Sequence, residues 1–163
     1  MKKLSLIIMI VMVMVLSGCE KGEDVDFNNT ETITFHDLTA EMPKAFTIDS
    51  ENNDDYIIQY SYNDDEKYNS CMLYFAISDY PKSDMKEAIQ EGFYDKKDWT
   101  YNEKTINGNK WAVGYREESV KLNQTYYVIN KNGKEYVLNY DDFGSGEKCA
   151  DALKIIEKSL KFR

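Results

Sequence analysis

The chain has 163 residues, 29 of them acidic and 20 basic, for a formal charge of −9. That length suits one domain of ordinary size and is too short for the two large lobes of a typical solute-binding protein. An acidic exterior keeps a protein soluble but repels phosphate backbones and anionic lipid, so nucleic acid is set aside as a partner.

The first nineteen residues read as an address. Lys2 and Lys3 supply a positive end, residues 4–16 are apolar but for Ser5, and Leu16-Ser17-Gly18-Cys19 follows. A bilayer crossing needs about 20 apolar residues, so this run is too short to span and instead fits a secretory apolar region ahead of small residues. The tetrapeptide resembles the bacterial lipobox. The resemblance implies that residues 1–18 are a lipoprotein signal peptide, cut before Cys19, whose thiol then carries a diacylglycerol. The mature chain would sit on the outer, extracytoplasmic face of the cell membrane, or be passed to the outer membrane of a double-membraned cell. Two acyl chains on one residue anchor stably where one does not. Loss of Lys2 and Lys3 with no acid takes the formal charge from −9 to −11.

Residues 19–31 are polar, acidic and poor in apolar side chains, and are expected to form the lipidated N-terminus and a flexible tether. Residues 32–163 then form the single folded domain. Short strands are expected at residues 32–36, 45–48, 56–62 and 71–78. The last is apolar on both faces, through Cys71, Leu73, Phe75 and Ile77 on one and Met72, Tyr74 and Ala76 on the other, as a central strand covered on both sides would be. A helix follows, capped by Ser83, with an apolar stripe of Met85, Ala88, Ile89, Gly92 and Phe93.

The second half reads as an antiparallel meander. Residues 99–106 and 109–118 meet at Asn107-Gly108, and residues 124–130 and 134–140 near Asn132-Gly133; Asn-Gly suits tight hairpins because both residues tolerate positive φ. Residues 141–146 are expected to turn the chain into a final helix with Cys149, Ala152, Leu153, Ile156 and Leu160 on one side. A largely antiparallel sheet with two helices, one on each face, makes an α/β/α sandwich of the α+β class.

This order resembles the PsbP-like fold of photosystem II extrinsic subunits, a small Ran-binding nuclear protein and many bacterial lipoproteins. The matching points are Met42-Pro43-Lys44-Ala45-Phe46, entering the first core strands, and residues 155–162, closing the last helix. The resemblance implies a chain that docks onto other proteins without catalysis, and it brings no site residues with it.

Catalytic chemistry is sparse. His36 is the only histidine, and its position near a strand end suits an ordinary surface or hydrogen-bonded histidine better than a triad or metal site. Asp54-Asp55, Asp64-Asp65-Glu66 and Asp141-Asp142 invite calcium but lack the spacing that wraps oxygen ligands around it, and read as solvated turns. Gly144-Ser145-Gly146 is too short for a phosphate-binding loop. Tyr126-Tyr127 with Trp99, Trp111 and Tyr115 would line a sugar or peptide groove, or else belong to core pairs. Cys71 and Cys149 both sit on apolar faces and are either a disulfide, which the extracytoplasmic compartment permits, or two buried thiols.

The expectation is a membrane-anchored, non-enzymatic binding or adaptor module for an envelope protein, with no cofactor and no metal. A small-ligand or cation-binding lipoprotein is the second reading, and a hydrolase of wall polymers the third.

Overall fold

The computed structural model describes residues 25–49, 56–64, 69–92, 99–118, 122–144 and 147–163. Its elements in chain order are β1 (Thr30–Phe35), β2 (Leu38–Pro43), β3 (Thr47–Ile48), β4 (Ile57–Asp64), β5 (Asn69–Ser78), α1 (Met85–Gly92), β6 (Trp99–Ile106), β7 (Asn109–Glu118), β8 (Leu122–Lys131), β9 (Lys134–Phe143), α2 (Glu147–Ser159) and β10 (Lys161–Phe162). Seven strands form one antiparallel sheet in the order β3-β4-β5-β9-β8-β7-β6, and a second, three-stranded sheet runs β1-β2-β10.

The meander follows from its turns. Asn107 and Gly108 have φ of 46° and 77°, and Asn132 and Gly133 have 54° and 78°. Two successive positive φ angles give the twist that two-residue hairpins need. Both turns therefore set register: Ile106 pairs with Asn109, and Lys131 with Lys134. β9 then pairs with β5, Leu73 facing Tyr140 and Phe75 facing Leu138. β5 is thus an interior strand, as its two apolar faces require.

One face of the large sheet is apolar. Leu73, Phe75, Trp111, Tyr127, Tyr136 and Leu138 are buried there, under Leu38, Ala40 and Met42 of β2 and Cys149, Ala152 and Ile156 of α2. The other face carries α1, whose Ile89 is buried against Ala112 and Val128. The two helices therefore lie on opposite faces, with the small sheet beside α2.

Several boundaries differ from expectation. β2 was not anticipated, because Leu38, Thr39, Ala40, Met42 and Pro43 are all buried and no two-residue alternation shows. The expected tether is folded from residue 25: Asp26 Oδ1 accepts from the Asn28 amide at 2.9 Å, and Phe27 is buried 5.2 Å from the Tyr62 ring and 6.2 Å from Phe46. Met42 and Pro43 close β2 instead of entering the core strands, and only Phe46 leads on to β3. α2 ends at Ser159, so Phe162 belongs to β10, stacked on Trp111 at 6.0 Å and edge-on to Tyr136 at 4.9 Å. The cap of α1 is Asp84, not Ser83; its Oδ1 accepts from Lys86 N at 2.9 Å and Glu87 N at 3.3 Å. A carboxylate there also meets the positive end of the helix dipole.

Cys71 of β5 and Cys149 in the first turn of α2 are joined in a disulfide, with Cα atoms 6.4 Å apart and a sequence separation of 78. The bond ties the last helix to the middle of the sheet. Replacing both cysteines with alanine should lower the unfolding free energy by on the order of 4 kcal/mol, as the loss of a long-loop crosslink. Urea unfolding of the variant, beside the parent chain with and without reductant, measures this.

Candidate functional site

Adjacent strand residues point to opposite faces, and this separates groups the sequence places together. Asp141 and Asp142 lie in β9 instead of a turn, zipped between β5 and β8, and only 8% and 5% exposed. They occupy opposite faces and make no carboxylate pair. Trp111 and Tyr127 belong to the apolar core, whereas Trp99, Tyr101 and Tyr126 pack around α1 on the other face. Tyr115 is exposed, its hydroxyl 3.4 Å from Asn123 Oδ1. The aromatic groove is therefore not assembled as one wall. His36 sits in the β1–β2 turn with φ of 51°, its ring 4.8 Å from Phe35. Cys19, Asp54-Asp55, Asp65-Glu66 and Ser145-Gly146 lie outside the described residues. Among the described residues, no group of three His, Cys, Asp or Glu could hold a metal ion, and no helix is long and apolar enough to cross a membrane.

Two arrangements that the sequence did not disclose stand out. The first is a polar stripe across the face that carries α1. Met72, Asp141, Gln124 and Arg116 are successive cross-strand neighbours, and so are Gln59, Tyr74, Asn139 and Tyr126. Gln59, Arg116, Gln124, Asn139 and Asp141 are all buried. Gln124 Nε2 donates to Asp141 Oδ1 at 3.0 Å. Burial holds the Asp141 carboxyl above its ordinary range, against the lowering effect of hydrogen bonds from Gln124 and Asn139. Tyr126 donates to the Gly92 carbonyl at 2.6 Å at the end of α1, and burial raises its hydroxyl to about 12. A Cβ on Gly92 would lie 2.6 Å from the Tyr126 ring, so the helix end and the sheet need this glycine.

The second is a groove on the α2 side of the sheet, where α2 stops. Asn107 of the β6–β7 turn donates its side-chain amide to the Lys158 carbonyl at 2.9 Å and the Leu160 carbonyl at 2.8 Å. It thereby caps the C-terminus of α2, where carbonyls lack helical partners. Ser159 Oγ donates to the Ile156 carbonyl at 2.8 Å and accepts from the Glu41 amide at 2.8 Å, fastening β2 to the same helix end. Between them opens a cavity of about 400 Å³ lined by Thr32, Thr39, Ala40, Glu41, Asn107, Lys158, Ser159 and Lys161. The Glu41 carboxylate accepts from Thr32 Oγ1 at 2.6 Å and Thr30 Oγ1 at 3.0 Å. Those two hydroxyls, with the charge of Lys161 as a smaller cause, lower its pKa and keep it ionised.

Chemically, the groove offers a fixed carboxylate and two ammonium groups. Its hydroxyls are engaged: Thr32 with Glu41, Thr39 with the Lys161 carbonyl at 3.2 Å, and Ser159 with Ile156. Nucleophilic catalysis needs a hydroxyl poised against a base, and these serve structure instead. The arrangement is suited to recognising charge.

No family model matches the sequence, and no curated protein is significantly similar to it. Solved structures do resemble the fold. CyanoP, the PsbP of the cyanobacterium Synechocystis, superposes with a TM-score of 0.55 over 91% of this chain and 99% of its own, at 9% identity. A crystal structure from Bacteroides thetaiotaomicron gives 0.51 at 12% identity, over 82% of this chain and 48% of that one, so the chain spans about half its length. LpqN, involved in cell envelope biogenesis of Mycobacterium tuberculosis, gives 0.45 at 14% identity over 81% and 89% of the two chains. At such identities the likeness concerns the fold alone, which is α+β and PsbP-like.

The buried carboxyl gives a pH test. With its pKa raised on folding, Asp141 binds its proton more tightly folded than unfolded. Its contribution is most favourable below the ordinary carboxylate range and is lost as pH rises through the folded value. Asp141→Asn should therefore raise the melting temperature at neutral pH, and the gain should shrink as pH falls towards about 4. Thermal unfolding followed by circular dichroism at both pH values reads this.

Proposed function

We propose that this protein is a lipid-anchored module on the extracytoplasmic face of the cell membrane, which acts without catalysis by docking onto another envelope protein. The anchor rests on Leu16-Ser17-Gly18-Cys19 behind a charged and apolar leader. The observation that carries the docking reading is an apolar corner at the β3–β4 edge. Ile48 of β3 and Tyr56 and Ile57 at the start of β4 are 52%, 54% and 40% exposed, Ile48 and Ile57 on opposite faces of this edge. Apolar side chains gathered at a sheet edge favour a protein partner over a soluble ion. The non-catalytic reading is supported by the engaged hydroxyls of the groove and by the separation of Asp141 from Asp142 on opposite faces. The small-ligand alternative is favoured by the groove itself, whose volume falls in the range of ligand sites.

Cys19→Ser should move the protein from the membrane to the soluble or secreted fraction; quantitative retention in membranes would refute the anchor. Mild cross-linking in cells, then purification and mass spectrometry, should enrich one envelope protein with the lipidated chain. Ile57→Asp should reduce that recovery by about tenfold, as expected for an apolar contact at the centre of an interface. Recovery of the same partner in undiminished yield would remove the β3–β4 corner from the docking reading.

A further inference from the structure

The end groove lies beside the point at which the anchored chain joins the fold. A second cavity, of about 320 Å³, is lined by Val25, Asp26, Phe27, Asn28, Asp151, Lys154, Ile155 and Lys158. Lys158 is common to both cavities, so they flank one side chain on the outer surface of α2. Phe27 packs its buried ring on Phe46 and Tyr62, and the second cavity brings residues 25–28 alongside α2 as far as Lys158. Val25 is exposed, and Cys19 stands six residues before it. Six residues reach at most about 20 Å when fully extended. A lipid on Cys19 would therefore hold this side of the domain near the headgroups, not the opposite face, which carries α1.

The charges here differ from those of the whole molecule. Lys154 is paired with Asp151 at 2.8 Å, and Glu157 is engaged by Lys104 and by Tyr127 at 3.0 Å. Lys158 makes no ion pair among the described residues, and the charge of Lys161 bears on the carboxylate of Glu41. The groove thus presents two ammonium groups and one ionised carboxylate held by threonine hydroxyls. An anionic headgroup would meet the lysines but also the repulsion of a chain with formal charge −9. A zwitterionic headgroup brings its own cation, and its phosphate and ammonium complement the lysines and the carboxylate together. A primary ammonium donates hydrogen bonds to Glu41, which a quaternary one does not.

We infer that the groove between β2 and the end of α2 takes the phosphate and primary ammonium of a phosphatidylethanolamine headgroup, phosphate on Lys158 and Lys161 and ammonium on Glu41. This rests on the lipid-anchor reading, and it orients the tethered domain with the α2 end toward the membrane. The Asn107 cap makes that end a rigid footing.

The test uses the lipidated full chain in phosphatidylcholine vesicles, with or without phosphatidylethanolamine, and follows relative lysine acylation by mass spectrometry after a trace pulse of reagent, too little to consume the ethanolamine amines. Lys158 and Lys161 should be modified about fivefold more slowly when phosphatidylethanolamine is present, while Lys86 on α1 is unchanged. Glu41→Gln should abolish the difference while keeping the parent's cooperative thermal transition. No slowing, equal slowing in phosphatidylcholine alone, or equal slowing at Lys86 would overturn the inference. So would protection by free phosphoethanolamine without protection by vesicles, since that places the ligand in solution. Failure of the anchor reading shows separately, as an unlipidated mass and a chain that washes off the vesicles.

Discussion

The constraint on which the structure depends is the apolar face of the seven-stranded sheet. Trp111, Tyr136, Phe75 and Leu138 are almost wholly buried, and the sheet cannot bury them by itself. The cover comes from both ends of the described chain: β1 and β2 from the beginning, α2 and β10 from the end. Each additional CH₂ removed from water there contributes about 0.8 kcal/mol. The cover is also fastened by polar and covalent bonds. Cys149 is bonded to Cys71, Ser159 accepts from the Glu41 amide, and the Arg163 amide donates to the Asp37 carbonyl at 2.9 Å. Releasing either terminus would uncover the same core.

The opposite face is governed by a different balance. Under α1 it is apolar, through Ile89, Ala112 and Val128. Farther along the same strands it becomes the buried stripe of Gln59, Asn139, Asp141, Gln124 and Arg116. Burying such groups costs free energy unless their hydrogen bonds are met. Gln124 accordingly meets Asp141, and the carboxyl still carries a raised pKa. This face gives up some stability where the other maximises it, and a protein concedes stability most often where its polar groups serve specificity.

Much of the fold was legible because its signals are local. The Asn-Gly pairs placed both hairpins, and the double-sided apolar pattern of β5 placed it inside the sheet. The spacing of Cys149, Ala152 and Ile156 placed one face of α2 on the core. What escaped depends on tertiary cover. β2 lacks alternation because α2 buries one side and its neighbours the other, so even Thr39 is covered. Phe27 sits in an acidic, polar stretch, and only its contacts with Phe46 and Tyr62 make it part of the domain. Asp141-Asp142 has the composition of a turn, but pairing with β5 and β8 overrides that preference. The groove was invisible for a similar reason: Glu41, Asn107 and Lys158 come from three distant segments, and no spacing along the chain relates them.

The same architecture bears on how a strongly acidic chain can live at a surface that also carries negative charge. Net charge acts over distances comparable to the screening length, about 8–10 Å in physiological salt, whereas contact chemistry is decided by the few groups at the point of approach. At the α2 end, acids are largely taken up internally: Glu157 by Lys104 and Tyr127, Asp151 by Lys154, Glu41 by Thr30 and Thr32. Lys158 and Lys161 face outward there, beside the exposed Asp26. On the proposed lipid-anchor reading, pairing acids locally would let this end of the domain approach a headgroup layer while the rest of the molecule is held off. Because residues 25–28 share a cavity with Lys158, the proposed anchor and the local charge would favour one orientation. Neither would be coupled to the other if the tether ran free to β1.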